Sequence, residues 1–274
     1  MKDHSITDPS APILLLDTGV GGLTVLAEVR KALPDARIIY AADMAGIPYG
    51  TKSEEEVSAR VTSLLGRMAE RYSPRLACIA CNTASTIALG IVREVLEIPI
   101  VGTVPAIKPA AALTKTGTIG LLGTAATVRQ AYVDNLEAEF AGGKRLIRVA
   151  APGLVDVAEA KLRGQHVDEF IIDQAVSGLR SQAGGESIDT VVLACTHFPL
   201  LKAELAASFA RAGHGAIQFI DGAAGIARRI AHLTEGQDFA DADSSMAVTT
   251  GRLDTFEQLA PVLSEHGIDQ IDRF

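Results

Sequence analysis

Two stretches of the chain share one plan, and that plan limits the fold more than any other feature. Residues 76–85 read LACIACNTAS. An apolar run with the length and flanks of a buried strand breaks at Cys81 into Asn82-Thr83, and a helix can start over 84–89. Residues 190–205 repeat the device as TVVLACTHFPLLKAEL: an apolar strand, then Cys195, then Thr196-His197, then helix. Backbone N–H groups and the positive dipole end at a helix start stabilise a thiolate and bind anions. Two such elbows in one chain predict two thiols serving one site.

Length and composition narrow the class. At 274 residues the chain has room for one large domain or two ordinary ones, and 48% hydrophobic content with alternating strand and helix patterns fits a soluble α/β protein. A net charge of −8 argues against a general nucleic-acid or anionic-membrane surface. No apolar run reaches the roughly 18 residues of a membrane span. The opening MKDHSITDPSAP has no apolar core of a signal peptide, and residues 1–11 are expected to be a disordered tail. Three cysteines make no disulfide framework, so reduced thiols in a cytoplasmic protein are expected.

Along the chain, strands are expected over 13–16, 37–42, 98–101, 118–122, 145–150, 218–220 and 246–249. Helices are expected over 23–33, 53–71, 168–183, 223–233 and 253–265, with one running from Thr127 through 140 and a loop–helix stretch over 152–162. Set side by side, LLLDT (14–18) matches GLLGT (120–124), and IACNT matches LACTH. Each half supplies one polar strand end and, later, one cysteine strand end, a self-similarity that outweighs any single motif. Ligands of open α/β sheets lie beyond the carboxyl ends of the strands. The expected architecture is therefore two pseudo-symmetric, flavodoxin-like or Rossmann-like three-layer domains with mostly parallel sheets and the active site between them.

Other readings compete at several positions. Gly19-Val20-Gly21 after a strand, with Asp43 closing the next, imitates a dinucleotide fingerprint, but Thr24 stands at the third glycine position and Asp17 would repel a pyrophosphate. The glycines serve equally well as a tight turn that lets the backbone approach a ligand. Cys78 and Cys81 with Cys195 and His197 offer four ligands of zinc type, yet mid-strand alternation turns Cys78 away from the strand end, as a small core residue. His197 beside a thiol can tune its proton affinity or orient substrate, or simply cap. Asp17 and Glu159 are weaker candidates, since such acids are often solvated caps, and Asp43 could as easily hold its own loop. Thr18, Thr83, Thr124, Thr127 and Thr196 are neutral donors suited to a carboxylate; Tyr49 could donate similarly or pack at the mouth of the site.

Two opposed thiols suit the inversion of a carbon stereocentre, one thiolate removing the α-proton while the other thiol delivers a proton to the far face. Backbone donors aimed at the substrate carboxylate would stabilise the carbanionic transition state. No cofactor-binding signature stands out, although a pyridoxal lysine is not visible from sequence.

The residues that carry this reading resemble the glutamate racemases of the aspartate/glutamate racemase superfamily, from Ile13 to about Leu263. The segments are DTGVGGLTVL (17–26), DMAGIPYG (43–50), CNTAS (81–85), GTAATV (123–128), APGLVDVAE (151–159), ACTHFPLL (194–201), IDGAAGIA (220–227) and TTGRLDTF (249–256). The resemblance implies an isomerase, a racemase without cofactor or metal, with Cys81 acting on D-glutamate and Cys195 on L-glutamate. It implies that Asp17, Glu159 and His197 assist the thiols. Substrate binding is implied for Asp17, Thr18, Pro48, Tyr49, Gly50, Asn82, Thr83, Thr196 and His197, with Thr124 and Thr127 as further donors. It also implies a first domain of 1–104 plus 216–274 and a second of 105–215, a monomer or homodimer, and supply of D-glutamate for peptidoglycan in a bacterial cytoplasm. Thr18 stands where the pattern has serine, Ala194 where it has glycine, and Phe198 where it has tyrosine, departures that bear on fine specificity rather than reaction class. The remaining alternatives are an aspartate or other amino-acid racemase and a non-catalytic nucleotide- or dicarboxylate-binding protein; the THFP sequence after Cys195 favours glutamate over aspartate.

Overall fold

The computed structural model describes residues 8–240 and 245–274. The chain divides into two compact units, one running to Thr103 and resuming over Ala223–Phe274, the other spanning Val104–Gly222. Both are parallel-sheet α/β units.

The first unit opens with β1 (Ile13–Asp17), α1 (Leu23–Ala32), β2 (Ile38–Ala42), α2 (Glu54–Tyr72), β3 (Leu76–Ile79), α3 (Asn82–Val95) and β4 (Ile100–Gly102). The second contains α4 (Ile107–Leu113), β5 (Thr118–Gly123), α5 (Ala125–Arg129), α6 (Ala131–Phe140), β6 (Arg145–Ala150), α7 (Gly153–Leu162), α8 (Glu169–Arg180), β7 (Thr190–Ala194), α9 (Lys202–Arg211) and β8 (Gln218–Ile220). The chain then returns to the first unit for α10 (Ala223–Leu233), β9 (Met246–Thr249), α11 (Leu253–Phe256), α12 (Ala260–Ser264) and β10 (Gln270–Arg273).

The sheet orders are β10-β9-β2-β1-β3-β4 and β6-β5-β7-β8. Four strands of each follow one rule: the first strand lies inside, the second on one side of it, the third and fourth on the other. The direction of winding therefore reverses between β1 and β3, and again between β5 and β7, and a crevice opens at the carboxyl ends of those strands. Asp17 and Cys81 follow or end one such pair; Thr124 and Cys195 follow the other.

Helices cover both faces of each sheet. α2 packs with α3 and α1 with α10; in the second unit α8 packs with α9 and α4 with α6. β1 is a continuous buried run, the expected pattern for a strand covered on both faces. α2 begins at a capping box, where Ser53 and Glu56 satisfy each other's backbone N–H groups. It buries Val57, Val61, Leu64, Leu65 and Met68, a stripe at helical spacing worth roughly 1.5–3 kcal/mol per fully buried side chain.

Several expected elements differ. β8 pairs with β7, so Gln218–Ile220 belongs to the second unit rather than the first. The helix expected through 140 breaks at Gln130, and that over 253–265 breaks into α11, a 3-10 turn and α12, whose second residue is Pro261. The expected tail is structured in its last part: the Arg75 guanidinium donates to the carbonyls of Asp8, Pro9 and Ala11 at 2.8–3.0 Å. The rest of that expected tail, 1–7, lies outside the described residues.

Candidate active site

Cys81 sits where the sequence placed it, one residue beyond the end of β3's extension and directly before α3. The Ala80 N–H donates to the Leu16 carbonyl at 2.8 Å, which carries the sheet ladder to the edge of the elbow. Cys81 is then the N-cap of α3, and its Sγ accepts the Ala84 N–H at 3.5 Å. Ser85 pins the first turn in place, donating from its hydroxyl to the Ile79 carbonyl at 2.8 Å and accepting the Thr103 N–H at 3.0 Å. The Thr18 hydroxyl reaches Cys81 Sγ at 3.8 Å. Asn82 and Thr83, both buried, occupy the first turn of α3, whose N–H groups no intrahelical carbonyl accepts.

Asp17 is a buried acid folded onto its own loop. Its Oδ2 accepts the N–H groups of Gly22 at 2.9 Å and Gly19 at 3.4 Å. A side chain at Gly22 would bring a Cβ to 2.8 Å from Asp17 Cβ and 3.0 Å from the Tyr40 hydroxyl, so glycine is required for this approach. The loop donors that a pyrophosphate would need are thus turned towards a carboxylate, which weakens the dinucleotide reading.

The Cys195 elbow departs from expectation. No α-helix follows Thr196-His197; the chain makes a 3-10 turn over Phe198–Leu201 and reaches α9 only at Lys202. Pro199 stands at the second position of that turn, where its missing N–H would have no intrahelical partner. In place of helix amides, Cys195 has His197: Sγ lies 3.9 Å from Nδ1. His197 Nε2 lies 2.8 Å from Glu159 Oε1, and Glu159 Oε2 accepts from Arg163 Nη1 at 2.5 Å.

Glu159 is not a solvated cap. It lies on the seventh position of α7, buried, with the His197 imidazole and the Arg163 guanidinium as neighbours. Burial pushes its carboxyl up, but the His197 and Arg163 contacts outweigh this and hold it down to about 2. The line Cys195–His197–Glu159–Arg163 lets a proton rest between sulfur and imidazole while the carboxylate fixes the ring.

Thr124 and Thr127 lie at the end of β5, beside the β7 end through the Gly123–Ala194 register. Thr124 caps α5, accepting the Thr127 N–H at 3.1 Å, and the two hydroxyls are 3.1 Å apart. Thr196 is buried next to Cys195. Tyr49 and Gly50 form a 3-10 turn that follows Pro48. The Tyr49 hydroxyl is donated to Asp43 Oδ2 at 2.5 Å, so it secures the loop instead of pointing freely at a ligand. Asp43, fully buried, also accepts Arg60 through two bonds at 2.5 and 2.6 Å and the Thr250 hydroxyl at 2.5 Å. Burial pushes the Asp43 carboxyl up, yet Arg60, Thr250 and Tyr49 hold it below the usual range. Sequence reasoning missed Arg60, Thr250 and Arg163; only Arg163 left a readable sign, four residues after Glu159 on one helix.

Cys78 is fully buried in mid-strand, and burial pushes its thiol up, which disfavours a ligating thiolate. Among the described residues, no group of three or more His, Cys, Asp or Glu side chains is placed to hold a metal ion. Cys81 and Cys195 each retain 7% exposure, against 0% for Cys78, and thus stay open to a ligand.

Comparison with known proteins agrees with this chemistry. The family model for Asp/Glu/Hydantoin racemase matches residues 23–230. A glutamate racemase from Sphingopyxis alaskensis is 61% identical over 265 residues, covering 96% of this chain and 97% of the relative. The crystal structure of Escherichia coli glutamate racemase in complex with L-glutamate and the activator UDP-MurNAc-Ala superposes with a TM-score of 0.88 at 41% identity, covering 96% of this chain and 98% of that one. Glutamate racemase isoform RacE1 from Bacillus anthracis gives a TM-score of 0.81 at 28% identity, covering 97% of this chain and 98% of that one. The chain belongs to the glutamate racemase group of the Asp/Glu/Hydantoin racemase family.

Proposed function

We propose that this chain interconverts L- and D-glutamate by a two-base mechanism in which Cys81 and Cys195 need no cofactor. The observation that carries it is the repetition of one strand order with a thiol after the third strand each time, β3 before Cys81 and β7 before Cys195. Inversion requires one acid–base group at each face of Cα. From L-glutamate, the Cys195 thiolate takes the α-proton, the Cα–H bond breaks, and its electron pair spreads into the adjacent carboxylate. The Cys81 thiol then gives its proton to the other face, leaving Cys81 as thiolate; the roles reverse from D-glutamate. No atom is oxidised or reduced.

The α-proton is a very weak acid, so the developing negative charge needs donors that are already in place. The first turn of α3 and the hydroxyls of Thr18, Thr83, Thr124 and Thr196 are suited to the substrate carboxylates. Asp17 sets the glycine turn that bears Thr18, and His197 with Glu159 serves Cys195. D-glutamate made in this way would supply peptidoglycan synthesis in a bacterial cytoplasm; no described helix is long and apolar enough to cross a membrane.

The test is proton NMR of L- and D-glutamate in D₂O with chelator-treated, gel-filtered enzyme, and aspartate as control. Loss of the α-proton signal from both glutamate enantiomers, with optical rotation decaying to zero, is the expected result. Binding without exchange would overturn the assignment, and exchange of aspartate alone would move it to another substrate.

A further inference from the structure

The Glu159 carboxylate is shared between an imidazole and a guanidinium, one oxygen to each. Oε1 meets His197 Nε2 at 2.8 Å and Oε2 meets Arg163 Nη1 at 2.5 Å. The same Nη1 also donates to the Glu159 main-chain carbonyl at 3.0 Å. Arg163 therefore grips Glu159 at both backbone and carboxylate, and only the remaining oxygen faces the imidazole. Side-chain exposure is 15% for Arg163, 11% for Glu159 and 2% for His197, so water competes little for any of the three.

We propose that Arg163 is a positioning residue for the Cys195 half of the reaction, acting by fixing the Glu159 carboxylate on His197. With Oε2 held, Glu159 cannot rotate both oxygens away, and His197 keeps its proton on Nε2. Nδ1 is then committed to Cys195 Sγ, 3.9 Å away. Other charged groups nearby have partners of their own. Lys161 of α7 lies on Glu204 and the Leu200 carbonyl, Asp173 of α8 on Ser208 and Arg211, and Lys202 of α9 on Asp221.

This proposal rests on the two-base reading, and the experiment separates the two. Enantiomers have equal free energy, so any defect lowers kcat/KM equally in both directions and cannot by itself reveal which half is damaged. Isotope effects can. Arg163→Met and Arg163→Lys are compared with wild type using L- and D-glutamate deuterated at Cα, with circular dichroism and thermal melting as checks on folding. Arg163→Gln replaces the Met variant if that one does not fold.

For Arg163→Met, kcat/KM is expected to fall about ten- to a hundredfold, the range for a residue that orients a reacting group through another. The isotope effect should rise for L-glutamate, whose Cα deuteron Cys195 takes, and fall towards unity for D-glutamate. Arg163→Lys should restore part of both changes. If Arg163→Met keeps the wild-type pair of isotope effects, whatever its rate, the positioning role is overturned. Wild-type protein that exchanges neither enantiomer overturns the two-base reading and this proposal with it.

Discussion

Replacing Glu159 by Gln removes a charge around which the second unit has gathered the His197 ring and the Arg163 guanidinium. Burial pushes this carboxyl up, but His197 and Arg163 outweigh it and leave it at about 2 in place of the usual 4.5. At about 1.4 kcal/mol per unit, the difference amounts to about 3 kcal/mol of stability at neutral pH. The sign follows from which state takes up the proton first. The unfolded chain protonates at the higher value, so the contribution is complete above the ordinary carboxylate range and is lost as pH falls towards about 2. Between about pH 6 and about pH 3, a group with these two values loses about 2 kcal/mol of its contribution. Glutamine keeps an oxygen for one hydrogen bond but carries no charge, so Glu159→Gln lacks this pH dependence. Urea denaturation of both proteins across that range is the assay. The stability gap should be about 3 kcal/mol near neutrality and narrow by about 2 kcal/mol at the acid end. A gap that does not change with pH would refute the ion-pair account of Glu159.

Cys81→Ala and Cys195→Ala should each abolish racemisation while retaining wild-type circular dichroism; full activity in either would end the two-base mechanism. Cys78→Ala, by contrast, should cost about 1 kcal/mol of stability through a small cavity and leave the exchange rate of the α-proton near wild type. Gly46→Ala would place a Cβ 2.2 Å from Asp43 Oδ2 and 2.6 Å from Arg60 Nε. It should destabilise the first unit by about 1–3 kcal/mol, read as a lower melting temperature, and weaken glutamate binding through the Tyr49 turn.

The parts of the molecule legible in sequence are those where chemistry and hydrophobic pattern coincide. Both cysteine elbows and the match of LLLDT with GLLGT were visible because buried parallel strands read as unbroken apolar runs that end abruptly in polar residues. β10 left no such trace: Gln270–Arg273 is a short edge strand, mostly exposed, that owes its place to pairing with β9. The 3-10 turn after Cys195 was hidden for the opposite reason, because LLKAEL continues as a good helix and masks the four-residue 3-10 turn over Phe198–Leu201. Glu159 was found but its environment was not, since the partner that buries it, His197, is 38 residues away in the chain. The Asp43 cluster escaped likewise, because Arg60 and Thr250 come from distant segments and meet only once β9 lies beside β2.

The division of the chain at Thr103/Val104 and Gly222/Ala223 also has a consequence for the order in which the protein is made. Its second unit is one uninterrupted stretch and is complete on the ribosome while the first is still unfinished. Until the last fifty or so residues emerge, α1 lacks α10 and the outer edge of β2 lacks β9. An unpaired edge of this kind can pair with other chains. The segment that carries none of the proposed reacting groups is therefore the one that closes the sheet, and a truncation there would expose β2 to aggregation before any loss of a catalytic side chain.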